Sequence, residues 1–295
     1  MPFLKRSTIL HLRFAFSFYL LPVFLFALSQ AHFINWINVI IAFVILHLLI
    51  FPSCNGYNSF QDKDESSIGG LKHPPKVTIN LYYTTLLMDV TGILCALLVS
   101  IYFSISVLIM VLASRAYSYR KLRLKKYALT GFLTVFIFQG AFVYLSSSIA
   151  ISKFSLEQLF SFSNIICMSI ASLFIGSLYP LTQIYQHKAD LKDGVESISY
   201  KLGFVGTFIF SALLFTTAAL LMFYYFNLKH QMAALTLFLL ITLPIILWFI
   251  LWFLKTIKNN FNANYENTMI MTVVTSGCMN LFFLVLILNN YLAWF

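Results

Sequence analysis

Apolar residues run along most of this chain in blocks of about 20, the length that a helix needs to cross the hydrocarbon core of a bilayer. Short polar segments separate the blocks. The boundary between the third and fourth blocks is faint, because VSIYFSIS is only slightly polar. The pattern predicts nine transmembrane helices, at 12–30, 34–53, 79–100, 102–117, 128–148, 158–182, 202–226, 232–254 and 268–290.

The composition agrees with a membrane protein. Of the 295 residues, 60% are hydrophobic and only 9% are charged, whereas soluble domains carry about 25% charged residues. The cysteines lack the CxxC spacing of a zinc site, and we interpret them as apolar filling; they are Cys54, Cys95, Cys167 and Cys278. The predicted fold class is therefore all-α: a polytopic membrane protein with a single integral-membrane domain over residues 1–295.

The basic residues are distributed unequally between the two sides of the predicted membrane. With the N-terminus inside, 17 of the 19 Lys and Arg residues fall on the inside, and only Lys153 and Lys229 fall outside. Because inside loops are enriched in these residues, the N-terminus is predicted inside and the C-terminus outside. A cleaved signal peptide over the first block is an alternative, but Arg13 interrupts that block and eight more follow. Without a soluble basic domain, the net charge of +10 does not indicate nucleic acid binding.

Three of the predicted inside loops carry nearly all of the polar chemistry. The loops after the second and sixth helices are rich in carboxylate and amide side chains. Oxygen ligands of this kind suit Mg²⁺, which typically binds one or two carboxylates together with substrate phosphates. The candidate metal ligands are Asn58, Asp62, Asp64, Asp190 and Asp193.

The loop after the fourth helix, SRAYSYRKLRLKKYALTG, supplies cations that include Arg123 and Lys125. Carboxylates that hold a metal and cations that hold phosphate oxygens together describe a diphosphate site. Simpler interpretations stay open at this point. Polar loops are often solvated connectors, and basic runs on the inside are often topology signals or contacts with lipid headgroups.

The polar segments resemble the motifs of the UbiA superfamily of intramembrane prenyltransferases, which have nine transmembrane helices. NSFQDKDESS resembles the first Asp-rich motif, YSYRKLRLKK the basic motif and QHKADLKDGVESISYKLG the second Asp-rich motif. The resemblance extends from Arg13, where the family often has an arginine, through the last predicted helix. Two positions depart from the family pattern: Gln186 replaces an aspartate, and Ser66 replaces an acidic residue.

The resemblance implies a Mg²⁺-dependent transfer of an isoprenyl group from a prenyl diphosphate to an aromatic or other lipophilic acceptor within the membrane. It also implies that Asp62, Asp190 and Lys125 are catalytic. The implied partners are an isoprenyl diphosphate donor, a lipophilic acceptor and membrane lipids. The residues implied to contact the substrate are Arg13, Asn58, Lys72, Tyr117, Arg123 and Gln186.

Two other functions remain as alternatives. Gln186 favours a degenerate member that binds an isoprenoid or lipid diphosphate without turnover. A transporter is disfavoured, since matching halves with Gly- or Pro-broken helices are not evident. Asp89, inside the third predicted helix, is either a functional group or a hydrogen-bonded structural aspartate. Because no organelle transit segment is visible, we expect a bacterial cytoplasmic membrane.

Overall fold

The computed structural model describes residues 5–31, 33–63, 65–152 and 156–292. None of these residues forms a named β-strand, and nine helices among them are long and apolar enough to cross a bilayer. The predicted all-α fold and the predicted number of helices are confirmed. We number the spans 1 to 9 in chain order: Arg6–Ser29, Trp36–Asp62, Ile79–Ala96, Ile101–Ser118, Ala128–Ile151, Phe162–Gln183, Ile198–Leu228, Met232–Lys258 and Tyr265–Leu292.

The connections between the spans contain only short helices. A 3-10 turn, Leu124–Lys126, lies between spans 4 and 5, and a helical turn, Leu156–Leu159, lies between spans 5 and 6. The helix His187–Lys192 follows span 6, and a second 3-10 turn, Asn260–Asn262, precedes span 9. The polar residues are therefore presented by short loops and by the ends of the spans.

Four spans are interrupted, and in span 7 the interruption is a kink at Gly203, which has a φ of 66°. In span 1, Arg13 has a φ of 49° and separates the α-helix Arg6–Leu12 from the 3-10 stretch Phe14–Tyr19. Spans 2 and 5 each contain a π-helical segment, at Val44–Ile50 and Phe136–Ala141 respectively. Such segments are rare in helices and are frequently found at functional sites.

Span 2 departs most from its predicted end. It continues to Asp62 instead of ending at residue 53, and Lys63, with a φ of 54°, terminates it. A prediction from hydropathy ends the helix where polar residues begin. Several of these residues face other parts of the protein instead of lipid, so they can be polar and still belong to the helix. Asn58 and Asp62, which were predicted to lie in a loop, therefore lie in the last turns of a membrane helix.

The boundary between the third and fourth helices, faint in the sequence, is formed by a helix cap. Ser100 has extended backbone angles, and its hydroxyl accepts a hydrogen bond from the Phe103 backbone N–H at 3.1 Å. A serine in this position satisfies one of the free N–H groups at the start of a helix. Span 3 therefore ends at Ala96, and span 4 begins at Ile101.

The spans differ in how deeply they are buried. Half of the residues in the most apolar windows of spans 2, 6 and 9 are buried inside the protein, against 22% in spans 7 and 8. Spans 7 and 8 therefore present most of their surface outward, where lipid would cover it. Spans 2, 6 and 9 contribute most to the interior in which the candidate site lies. The predicted orientation of the termini remains a prediction.

Candidate functional site

A cavity of about 290 Å³ lies among spans 1, 2, 4, 5, 6 and 9. It is polar where the loops meet the ends of the spans and apolar among the spans, where Ile50, Val143 and Ile175 line it. The sequence predictions converge on this cavity, since most of the predicted site residues line it. They are Arg13, Asn58, Asp62, Tyr117, Arg123, Lys125, Gln186, Asp190 and Asp193.

One side of the polar end is formed by Asn58 and Asp62, one turn apart on span 2, which we call the span 2 wall. Ser118 donates a hydrogen bond to the Asn58 carboxamide oxygen at 2.9 Å, and the Lys125 ammonium donates to the same oxygen at 3.3 Å. Lys125 also forms an ion pair with Asp62, whose side chain is only 6% exposed. The span 2 wall is thus a buried carboxylate whose charge is balanced by a buried cation.

The basic segment between spans 4 and 5 is folded so that its cations point into the site. Arg123 has a φ of 46°, and the 3-10 turn that carries Lys125 begins directly after it. The Arg123 guanidinium lies 3.5 Å from Asp62 and also pairs with Asp193, and its side chain is 8% exposed. Arg123 therefore connects the two acidic segments that are distant in the sequence.

The other side is formed by Gln186, Asp190 and Asp193, which we call the loop wall. Its short helix ends at Lys192, and Gly194, which has a φ of 70°, directs the chain back, so that the Val195 N–H donates to the Asp190 carbonyl oxygen at 2.8 Å. The Asp193 side chain is 37% exposed. Burial opposes its ionisation, but hydrogen bonds and charges from Arg120 and Arg123 outweigh burial and hold the pKa of the carboxyl below its ordinary value.

The loop wall is attached to span 7 by His187. The His187 Nε2 atom lies 2.8 Å from the Ser199 hydroxyl, and the imidazole stacks on Phe204 with ring centroids 5.2 Å apart. Burial lowers the pKa of His187 to about 4, so the ring is neutral at physiological pH. His187 lies one turn before Asp190 and helps to fix the helix that carries this carboxylate.

Sequence reasoning missed Tyr179 and Gln183, which line the same cavity. The Tyr117 and Tyr179 hydroxyls are 2.7 Å apart, and the Gln183 amide donates to the Tyr179 hydroxyl at 2.8 Å. The Gln183 carboxamide oxygen is buried without a hydrogen-bond donor. The signal was the spacing of Tyr179, Gln183 and Gln186, which places them on one face of a helix.

Asp89 forms a buried ion pair behind the span 2 wall. Its carboxylate pairs with Arg115 of span 4 and accepts a hydrogen bond from the Ser53 hydroxyl at 2.5 Å. The Arg115 guanidinium lies 3.7 Å from the centre of the Tyr57 ring. Ser53 and Tyr57 belong to span 2, so this pair fastens the face of the helix behind Asn58 and supports the structural interpretation of Asp89.

The comparison with solved structures identifies the architecture. No protein-family model matches the sequence, and no curated protein matches it either. A UbiA homolog from Archaeoglobus fulgidus, solved with GPP and Mg²⁺ bound, is 14% identical and superposes with a TM-score of 0.65 over 95% of this chain and 99% of its own. The chain has the UbiA fold. A digeranylgeranylglyceryl phosphate synthase is 18% identical, with a TM-score of 0.61 over 98% of both chains.

Within the UbiA fold, one predicted residue lies away from the cavity and another falls outside the described part of the chain. Lys72 pairs with Glu266 at 2.5 Å, and both side chains are more than half exposed outside the cavity lining. The prediction that Lys72 contacts the substrate is therefore not supported by its position. Asp64 lies outside the described residues. Ser66 lines the cavity at its exposed rim, and its hydroxyl carries no charge for a metal.

The donor atoms of this cavity suit Mg²⁺. Among the described residues, no three His, Cys, Asp or Glu side chains are grouped closely enough to hold a metal by themselves. Mg²⁺ needs only one or two protein carboxylates when substrate phosphates and waters complete its coordination. Asp62 and Asp190 line the cavity and would supply these, and the buried Gln183 oxygen without a donor would be a further neutral ligand.

Proposed function

We propose that this protein is a Mg²⁺-dependent prenyltransferase that moves an isoprenyl group from an isoprenyl diphosphate to a lipophilic acceptor within the membrane. The observation that carries the proposal is the cavity itself. Its polar end combines carboxylates and cations, and the space continues into an apolar interior. A prenyl diphosphate has the same two parts: an anionic head and an apolar tail.

The head of the donor belongs at the polar end. Arg123 and Lys125 would donate hydrogen bonds to the diphosphate oxygens, where negative charge grows as the bond to the tail breaks. Asp62 and Asp190 would hold Mg²⁺, which when bound supplies a Lewis acid that neutralises the leaving group. Asp62 is held by span 2 and pairs with Lys125 and Arg123, and it would exchange these counterions for the metal.

The tail belongs among the spans. Breaking the carbon–oxygen bond leaves an allylic cation, and the acceptor forms a new bond to this carbon and releases a proton. The apolar lining excludes water that would otherwise quench the cation. Aromatic rings of Phe16, Tyr19 and Phe138 line the same space, and the negative faces of such rings stabilise a cation.

A second candidate function is diphosphate binding without turnover. The observation that favours it is the pair of neutral amides, Gln183 at the end of span 6 and Gln186 in the turn that follows, at positions where carboxylates would bind a metal more strongly. Such a protein would use Arg123 and Lys125 in the same way but would release the donor unchanged.

The setting that we propose is a multi-pass protein of a bacterial cytoplasmic membrane. Nine apolar helices and a shared fold with proteins studied in membranes support integral membrane insertion. The bacterial location remains an expectation from the sequence. The whole chain acts as one domain in this proposal, because spans from both its beginning and its end line the cavity.

The test measures binding of geranyl diphosphate to the purified protein in detergent, with Mg²⁺ and with EDTA. The variants are Asp62→Ala and Asp190→Ala. Glu196→Ala is the matched control, because Glu196 is an exposed carboxylate that pairs with Lys201 outside the cavity. We expect Mg²⁺-dependent binding in the wild type and the control, and at least tenfold weaker binding in both cavity variants.

Binding that is unaffected by Mg²⁺ and by both cavity substitutions would refute the metal–diphosphate site. If the site binds the donor, incubation with a set of lipophilic phenols and quinols separates the two candidate functions. A prenylated product supports the transferase, whereas quantitative recovery of geranyl diphosphate with every acceptor favours the binding protein.

A further inference from the structure

We infer that Gln139 is the recognition residue for the acceptor, and that the acceptor carries a neutral hydroxyl or carbonyl group. The inference rests on the proposed transferase function. It assigns the acceptor to a second, deeper part of the cavity that is separate from the diphosphate end.

Gln139 is an amide inside a membrane span. It lies on span 5, 11 residues beyond Ala128, which corresponds to a depth of about 16 Å along the helix. Its side chain lines the cavity and is exposed. An amide facing hydrocarbon without a partner costs several kcal/mol, so a polar side chain at this depth normally faces a cavity or another polar group.

The backbone around Gln139 is π-helical and packs closely against span 6. Gln139 belongs to the π-helical segment Phe136–Ala141, and Gly140 lets this segment touch span 6. A Cβ atom on Gly140 would lie 2.3 Å from the Ser172 Cα atom, so no larger residue fits. The Ser172 hydroxyl accepts a hydrogen bond from the Ala141 N–H at 2.9 Å. Span 5 is therefore held to span 6 beside Gln139, and the Gln139 side chain is left to the cavity.

The cavity is exposed at two levels. Among its described lining residues, Ser66 and Gln139 are exposed, and so is more than a third of the Asp193 side chain at the polar end. Ser66 lies in the loop after span 2, at the polar end where a diphosphate would enter, and Gln139 lies halfway along span 5. A lipophilic acceptor dissolved in the bilayer would reach the cavity at the second level.

The charge distribution limits the class of acceptor. The cations that line the cavity in the described part of the chain are Arg13, Arg123 and Lys125, and all three contact atoms of the polar end and its loops. The residues that line the cavity nearest to Gln139 along span 5 are Val135, Phe138 and Val143. A carboxylate or phosphate at this level would be buried without a counterion, which is costly. A phenol, quinol or alcohol can instead exchange hydrogen bonds with the amide.

The experiment compares three probes that share one ring system: 1-naphthol, 1-methylnaphthalene and 1-naphthoate. Their binding to the full-length protein is measured by equilibrium dialysis against detergent-matched blanks. The variant is Gln139→Leu, which keeps a similar volume and removes the amide. Ser169→Ala is the matched control, because Ser169 is a partly exposed polar residue of span 6 outside the cavity lining. Geranyl diphosphate binding is measured in parallel on every protein.

We expect the wild type and Ser169→Ala to bind 1-naphthol about fivefold more tightly than 1-methylnaphthalene, and to bind 1-naphthoate most weakly. In Gln139→Leu this preference for the hydroxyl should disappear, while the affinity for geranyl diphosphate changes less than twofold. A preference that persists in Gln139→Leu, or that is absent from the wild type, overturns the inference. If the wild type does not bind geranyl diphosphate, the proposed function itself is contradicted. Failure of the inference about Gln139 can therefore be distinguished from failure of the proposed function.

Discussion

The two walls of the polar end hold their carboxylates in different ways. Asp62, on the span 2 wall, is 6% exposed and belongs to a membrane helix that the Asp89–Arg115 pair fastens from behind. Asp193, on the loop wall, is 37% exposed and follows a helix of six residues. The span 2 wall is fixed before any ligand binds, whereas the loop wall rests on a few contacts at the surface. We therefore expect the span 2 wall to set the position of the diphosphate and the loop wall to adjust to it.

The largest expected effect concerns the two carboxylates themselves. Asp62→Asn should lower the rate of geranyl transfer by about 10³-fold, because a buried, fixed charge that stabilises a transition state is worth roughly this much. Asp193→Asn should lower the rate only about tenfold, because its side chain is 37% exposed and solvent screens its charge, which Arg120 and Arg123 already balance. Single-turnover rates at saturating Mg²⁺ give both values. Equal losses in the two variants would contradict the distinction between the walls.

The next effect concerns the support behind the span 2 wall. Asp89→Leu leaves the Arg115 charge buried and should lower the free energy of unfolding by about 3–5 kcal/mol. The double variant Asp89→Leu/Arg115→Met removes both charges and should recover most of this loss. Thermal unfolding in detergent, followed by tryptophan fluorescence, measures both. If the double variant is as unstable as the single one, the pair does more than balance charge.

The smallest effect concerns the attachment of the loop wall. The folded-state pKa of His187, about 4, lies below the reference value of 6.5. Between these values the unfolded chain binds a proton and the folded chain does not. The contribution of the neutral ring is therefore complete above pH 6.5 and is lost as the pH falls towards 4. Because the ring is partly exposed, we expect it to amount to at most about 2 kcal/mol.

The measurement for His187 is the difference in melting temperature between pH 7.5 and pH 5.0, in EDTA. His187→Gln should show a smaller decrease than the wild type, because glutamine keeps a hydrogen-bonding group but does not titrate. His230→Gln is the control, since His230 is exposed at the turn between spans 7 and 8. An unchanged decrease in His187→Gln would show that the ring does not contribute to the acid sensitivity.

Hydropathy was sufficient for the fold, because a bilayer forces each apolar block of about 20 residues into a helix. The motifs were sufficient for most of the polar end of the site. Local sequence could not reveal the pair of Asp89 and Arg115, which are distant in the chain and meet only when spans 3 and 4 pack together. Gln139 was missed for a related reason. A single amide in an apolar block belongs to no sequence motif, and its importance is visible only from its position in the cavity lining.

The mutual pairing of Asp62, Lys125, Arg123 and Asp193 has a consequence for how ligands arrive. Because equal numbers of opposite charges are already in contact, this group produces only a weak field at a distance. This group would not itself steer a charged donor to the site over a long range, and capture of the donor would be an exchange of ionic partners at close contact. Any dependence of the association rate on ionic strength should therefore come from the other Lys and Arg residues on the predicted inside, and not from this group.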